Sequence, residues 1–140
     1  MRFMAIVPAN PQTEAGVLPD TKILDAMTRF NEELAKAGVL LAAEGLHPTA
    51  KGFRLRFEGG KTAVTDGPFT ESKELIAGFW LLEAGSKDEV ISWMKRAPFG
   101  GGFELEIRQV FETGEFGAAA TPEIVARDAR IRAQAAANRG

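Results

Sequence analysis

The sequence has no cysteine, which removes disulfide frameworks, thiolate nucleophiles and cysteine-ligated metals and suits a reducing compartment such as the cytoplasm. It has one histidine, His47, so imidazole chemistry has a single residue to draw on. That is too few for a usual structural zinc site. The carboxylates lack calcium-loop spacing, and no glycine run ends in the Lys-Ser or Lys-Thr of a phosphate-binding loop. No metal and no required cofactor are expected. Long apolar runs are also missing: Met1 to Val7 is closed by Pro8 and Asn10, far short of a signal-peptide core or a membrane span. A basic stripe is missing too, since the formal net charge is −2 and the two signs are interleaved. Neither nucleic acid nor a membrane is an expected partner.

What is present fits one hydrophobic core: 140 residues, 45% of them hydrophobic, are enough for one domain and too few for two. The composition shifts near Gly117, where alanine and arginine take over, so residues 1–116 are expected to form the domain and 117–140 a helical tail. Thr121-Pro122-Glu123 is a good start for that tail helix. It could pack across a partner or remain partly frayed.

Phe3 to Val7 has the pattern of a strand, and Asn10 to Gly16 that of a loop. Ile23, Met27, Phe30 and Leu34 then recur at helical spacing from about Asp20, with Gly38 as the stop. Val39 to Ala43 restarts a strand. Phe53, Leu55 and Phe57 alternate with Arg54, Arg56 and Glu58, the period of a strand with one wet face, and Gly59-Gly60 turns it into Lys61 to Thr65. Leu75 to Leu82 is a central strand, with Phe79 and Trp80 on opposite sides. Ser86 and Glu89 have the spacing of a capping box and open a helix through Val90, Trp93, Met94 and Ala97 that Pro98 stops. Phe103, Leu105, Ile107 and Val110 suggest a last alternating strand. Strand, helix, strand, hairpin, strand, helix, strand is an α+β order of the ferredoxin-like, split βαβ kind with an inserted β-hairpin. Two helices cover one face of an antiparallel sheet, and a second copy is the simplest cover for the other, so a homodimer is expected.

Three segments carry a family resemblance: Ala37-Gly38-Val39 through Glu44-Gly45-Leu46, Thr65-Asp66-Gly67-Pro68-Phe69-Thr70-Glu71-Ser72-Lys73-Glu74, and Gly78-Phe79-Trp80-Leu81-Leu82. Together they resemble the DGPF branch of the YCII-related proteins over most of Met1 to Glu112. The resemblance implies a ferredoxin-like subunit pairing into a dimeric α/β barrel with a cleft near the interface. It also implies a proton-transfer pair, a histidine in the first helix and an aspartate before a proline after the second. In this sequence those positions fall at Phe30 and Ala97, which cannot move protons. Members of the family are found in the company of extracytoplasmic-function sigma factors, which implies a third role as a regulatory partner.

The candidate catalytic residues are Asp66, His47 and Glu44. The Asp66 carboxylate can accept backbone N–H groups in an Asp-Gly-Pro turn, aim into a cleft, or do both. His47 is a candidate general base because an unperturbed imidazole titrates at about pH 6.5, although a histidine before a proline also suits a surface position. Glu44, on a mainly apolar strand, is either a partly buried carboxylate with a raised pKa or a solvent-facing one. Asp66, Phe69, Lys73 and Arg54 are the candidate ligand contacts. Glu71, Lys73 and Glu74 also suit a solvated face, and Arg54 and Arg56 could hold a carboxylate or phosphate or make dimer salt bridges. Two functions follow from these residues: a dimeric small-molecule-binding protein, or an enzyme of lyase or isomerase type working by proton transfer.

Overall fold

The apolar opening segment forms strand β1 (Arg2–Pro8) in the computed structural model, which describes residues 1–70 and 74–140. The segment expected as a loop instead makes a short helix, α1 (Pro11–Glu14). Asn10 and Thr13 cap it reciprocally, and Pro11 occupies the first turn, where its missing N–H costs nothing. Helix α2 (Thr21–Lys36) begins where Asp20 accepts from the Ile23 N–H. Phe30 and Leu34 on it are buried, whereas Ile23 is 51% exposed, so the buried stripe starts a turn later than the spacing predicts.

Strand β2 (Leu40–Gly45) follows, then the hairpin of β3 (Phe53–Glu58) and β4 (Lys61–Asp66) in the expected register, Leu55 opposite Val64. Gly59 and Gly60 both have positive φ, as a two-residue hairpin turn of this hand requires. The expected single wet face is not observed. Phe53, Leu55, Phe57 and Val64 are all more than half exposed, because nothing among the described residues covers the hairpin's apolar side.

Strand β5 (Ile76–Glu83) leads through helix α3 (Lys87–Met94) to β6 (Glu106–Gln109). Helix α3 ends before Pro98. Its Ser86 cap accepts from the Glu89 N–H, but the Glu89 carboxylate returns to the Gly85 N–H, one residue before the position a capping box needs. The last strand is shorter than the alternation suggests, and Phe103 leaves it to stack on Phe99 with ring centroids 4.1 Å apart.

The main sheet is antiparallel, in the order β2-β5-β1-β6. Directly opposed residues share a face, and the register places Ala43, Trp80, Ala5 and Ile107 in one row. This row and Phe3 and Leu82 pack with Phe30 and Leu34 of α2 and Val90 and Met94 of α3 to form the core. Each large side chain so buried contributes about 1.5–3 kcal/mol. On the other face the rows read Glu44, Phe79, Ile6, Glu106 and Ala42, Leu81, Met4, Arg108. The middle of that face is apolar and its rims are charged.

Residues Met1–Gln109 form one compact unit and Val110–Gly140 a second. In the second, helix α4 (Pro122–Arg139) starts as the sequence predicts, with Thr121 accepting from the Ile124 N–H. Asp128 on α4 accepts from the Thr113 hydroxyl at 2.6 Å and from Arg132 Nε at 2.7 Å. Among the described residues, no helix is long and apolar enough to cross a membrane.

Candidate functional site

The end of β2 is tied to β5 by the Leu46 N–H, which donates to the Ala77 carbonyl. His47 and Pro48 then lead into a tight 3-10 turn, Thr49–Lys51. The end of β4 comes back against this turn, where the Gly67 N–H donates to the Gly52 carbonyl at 2.9 Å. The approach is so close that a Cβ at Gly67 would lie 1.8 Å from the Thr49 carbonyl oxygen. Only glycine fits there.

Thr49 organises the neighbourhood. Its hydroxyl donates to Glu14 Oε2 at 2.5 Å and accepts from the Phe69 N–H at 3.0 Å, while its own N–H donates to Glu14 Oε1 at 3.2 Å. The short O–H···O contact has the length of a charge-assisted bond. Phe69 is thereby fixed, and the Arg54 guanidinium lies over its ring, 3.7 Å from the centroid. Such a contact at a partly exposed site contributes about 0.5–1 kcal/mol.

Around these groups opens a groove of about 570 Å³. Leu46, Phe53, Phe69, Leu75 and Ile76 supply apolar wall; His47, Lys51, Arg54 and Glu74 supply the titratable groups. His47, Lys51, Arg54 and Glu74 make no ion pair with any described residue. Arg56, by contrast, is paired with Glu58 at 2.5 Å.

Of the expected site residues, His47, Arg54 and Phe69 are therefore brought together. Asp66 is exposed at the end of β4, opposite Phe53, and is not among the groove's lining residues. Its carboxylate takes no backbone N–H among the described residues, and the tight approach here is made by Gly67 itself, with a cis Gly67–Pro68 peptide. Glu44 is exposed on the open sheet face opposite Phe79. It is not a partly buried carboxylate, because the strand's helix-facing positions are taken by Ala43 and Leu40. Lys73 and Glu71 lie outside the described residues. Phe30 is core, and Ala97 packs against the core. Among the described residues, no three His, Asp or Glu side chains gather as a metal site.

Sequence reasoning passed over Glu14, Thr49 and Lys51. Glu14 lies 35 residues from Thr49 in the chain, and no local pattern links them. Replacing Thr49 with valine keeps the shape and removes both hydroxyl bonds, leaving the Phe69 N–H and one Glu14 oxygen without protein partners. A loss of about 1–2 kcal/mol is expected by urea denaturation for Thr49→Val. Thr49→Ser, which retains the bonds, is expected close to wild type.

Comparison with known proteins gives three findings. The YCII-related domain matches residues 1–114. Uncharacterized protein R00369 of Rhizobium meliloti (strain 1021) is 30% identical over 100 residues, covering 69% of this chain and 81% of that protein. Among solved structures, the 5-chloro-2-hydroxyhydroquinone dehydrochlorinase TftG of Burkholderia phenoliruptrix AC1100, in complex with 2,5-dihydroxybenzoquinone, aligns with a TM-score of 0.46 at 18% identity, covering 80% of this chain and 95% of that one.

Proposed function

The chain belongs to the YCII-related family, and from that premise we propose that it is a dimeric small-molecule-binding protein of the DGPF branch whose ligand sits in the groove between His47, Arg54 and Phe69. The observation that carries this is the Arg54 guanidinium, placed over the Phe69 ring at the wall of an open groove and free of any carboxylate among the described residues. A cation held in one orientation, with apolar wall around it, is a recognition device. The Asp66-Gly67-Pro68-Phe69 segment serves it indirectly: Gly67 permits the close approach, and Phe69 supplies the platform.

The main sheet corresponds to a ferredoxin-like subunit in which the β3–β4 hairpin is an insertion, and residues 117–140 are an appended helical tail. Pairing into a dimeric α/β barrel is supported by the uncovered sheet face, where Met4, Ile6, Phe79 and Leu81 form an apolar centre between charged rims. Light scattering at micromolar concentration is expected to give twice the 15.1 kDa chain mass, and Ile6→Lys at the centre of that face to give monomer. A wild-type monomer overturns the dimer.

Placing the ligand is tested by amide chemical shifts. Metabolites that raise the melting temperature should perturb residues 46–53 and Phe69; perturbation confined to other surfaces removes the groove from consideration. One observation favours a second reading, an enzyme of lyase or isomerase type: His47 is exposed in the groove without a hydrogen-bond partner among the described residues, free to take a proton from a bound molecule. Turnover of a bound compound, abolished by His47→Ala, would establish it. Binding without turnover leaves the binding protein.

A further inference from the structure

We propose that the groove selects a planar monoanion, an aryl or enol carboxylate, with its carboxylate on the edge of Arg54 and its flat body against the apolar wall. This rests on the groove being the binding site and adds the class of ligand.

The charge inventory comes first. Among the described residues the lining holds two cations, Lys51 and Arg54, one carboxylate, Glu74, and the imidazole of His47. An anion is favoured by this excess, and a singly charged one balances it.

The form of the cation comes second. The guanidinium carbon lies over the Phe69 ring, 3.7 Å from its centroid, so the planar fork has a support before a ligand arrives. A fixed fork matches the two oxygens of a carboxylate and loses little freedom on binding. Phe53, Leu75 and Ile76 then offer apolar surface for the rest of the molecule, in a space within the usual range of about 300–1,000 Å³ for ligand sites.

Third, the backbone excludes the other common anion. Phosphate sites are built largely from free N–H groups converging on the oxygens. Here the Thr49 N–H is given to Glu14, the Phe69 N–H to Thr49, and those of Leu46, Lys51 and Gly52 to the carbonyls of Ala77, Pro48 and Thr49. With these N–H groups committed, no converging set is found at the turn among the described residues to hold a phosphate, and the anion is left to side chains.

The test is calorimetric titration of the full chain with benzoate, benzamide, cyclohexanecarboxylate and inorganic phosphate, with amide shifts locating each probe. Benzoate is expected to bind at the groove about tenfold more tightly than neutral benzamide and more tightly than either cyclohexanecarboxylate or phosphate. Arg54→Gln, checked for an unchanged circular dichroism spectrum, is expected to erase the preference for benzoate over benzamide. Phe69→Leu is expected to reduce it. If benzamide or phosphate binds at the groove as tightly as benzoate, or if Arg54→Gln leaves the preference intact, the ligand class is overturned while the groove stands. If cyclohexanecarboxylate matches benzoate, planarity is overturned. If no probe perturbs the groove up to about 10 mM, a range that still detects the weakest fragments, the groove and the class fall together.

Discussion

Gly67→Ala is expected to lower the melting temperature by about 10 °C, the shift that corresponds to about 3 kcal/mol in a chain of this size. The added methyl would stand 1.8 Å from the Thr49 carbonyl oxygen and 2.6 Å from its carbon. Both obstacles are backbone, so no side chain can rotate away. Relief requires the Thr49–Lys51 turn to withdraw from β4, which breaks the bond from Gly67 to Gly52 and moves the Thr49 hydroxyl off Phe69. Overpacking of this kind costs about 1–3 kcal/mol, and a rigid obstacle puts the value at the upper end. Gly45→Ala is the control, because a Cβ there meets nothing within 4 Å. It is expected to melt close to wild type. A Gly67→Ala protein that also melts within a degree or two of wild type would show that the two segments are not in contact in solution. The same substitution is expected to abolish binding at the groove, since Phe69 and Arg54 lose their support.

Trp80→Ala is expected to cost about 4 kcal/mol in urea denaturation, at the large end for a single side chain. Trp80 is 4% exposed on the central strand β5. Phe30 and Phe99 meet its ring edge-on, each with centroids 5.9 Å away, and its indole N–H donates to Asn31 at 2.8 Å. Removing it empties the space that joins α2 to the segment after α3 and strands the Asn31 carbonyl oxygen. Against a total stability of about 5–15 kcal/mol for a typical domain, such a loss leaves a visible unfolded fraction at the low end of that range. Trp80→Phe keeps most of the packing and forfeits the hydrogen bond, so about 1–2 kcal/mol is expected. A loss below about 1 kcal/mol for Trp80→Ala would contradict the core position of β5.

Much of the sheet was legible because short-range pattern decides it. The β3–β4 hairpin follows from alternation and two glycines, and β5 from a run of apolar residues too rich for an edge. Trp80 and Phe79 were separable by strand period alone. The groove was legible only in pieces. His47, Arg54 and Phe69 could be named one at a time, but their meeting depends on Gly67 docking against the Thr49 turn, a contact across chain segments that leaves no periodic trace. Asp66 drew notice for its neighbours' sake: the residue that makes the segment's geometry is the glycine beside it. Glu44 could not be oriented because a strand of Leu, Leu, Ala, Ala offers little contrast between its faces. Asn10 to Gly16 reads as a loop in sequence because a four-residue helix is too short to show a period and is held by its caps.

Thr49 sits between two parts of the surface. On one side its hydroxyl holds Phe69 and the Arg54 resting on it; on the other it holds Glu14, three residues ahead of the exposed Val17 and four ahead of Leu18. Thermodynamic linkage makes that arrangement reciprocal. To whatever extent a molecule that tightens Phe69 and Arg54 also tightens Thr49's hold on Glu14, capture of the Val17–Leu18 stretch in its Glu14-bound arrangement must raise affinity at the groove by the same factor. The segment between β1 and α2 is thus joined to the wall of the groove through Glu14 and Thr49 without entering the groove.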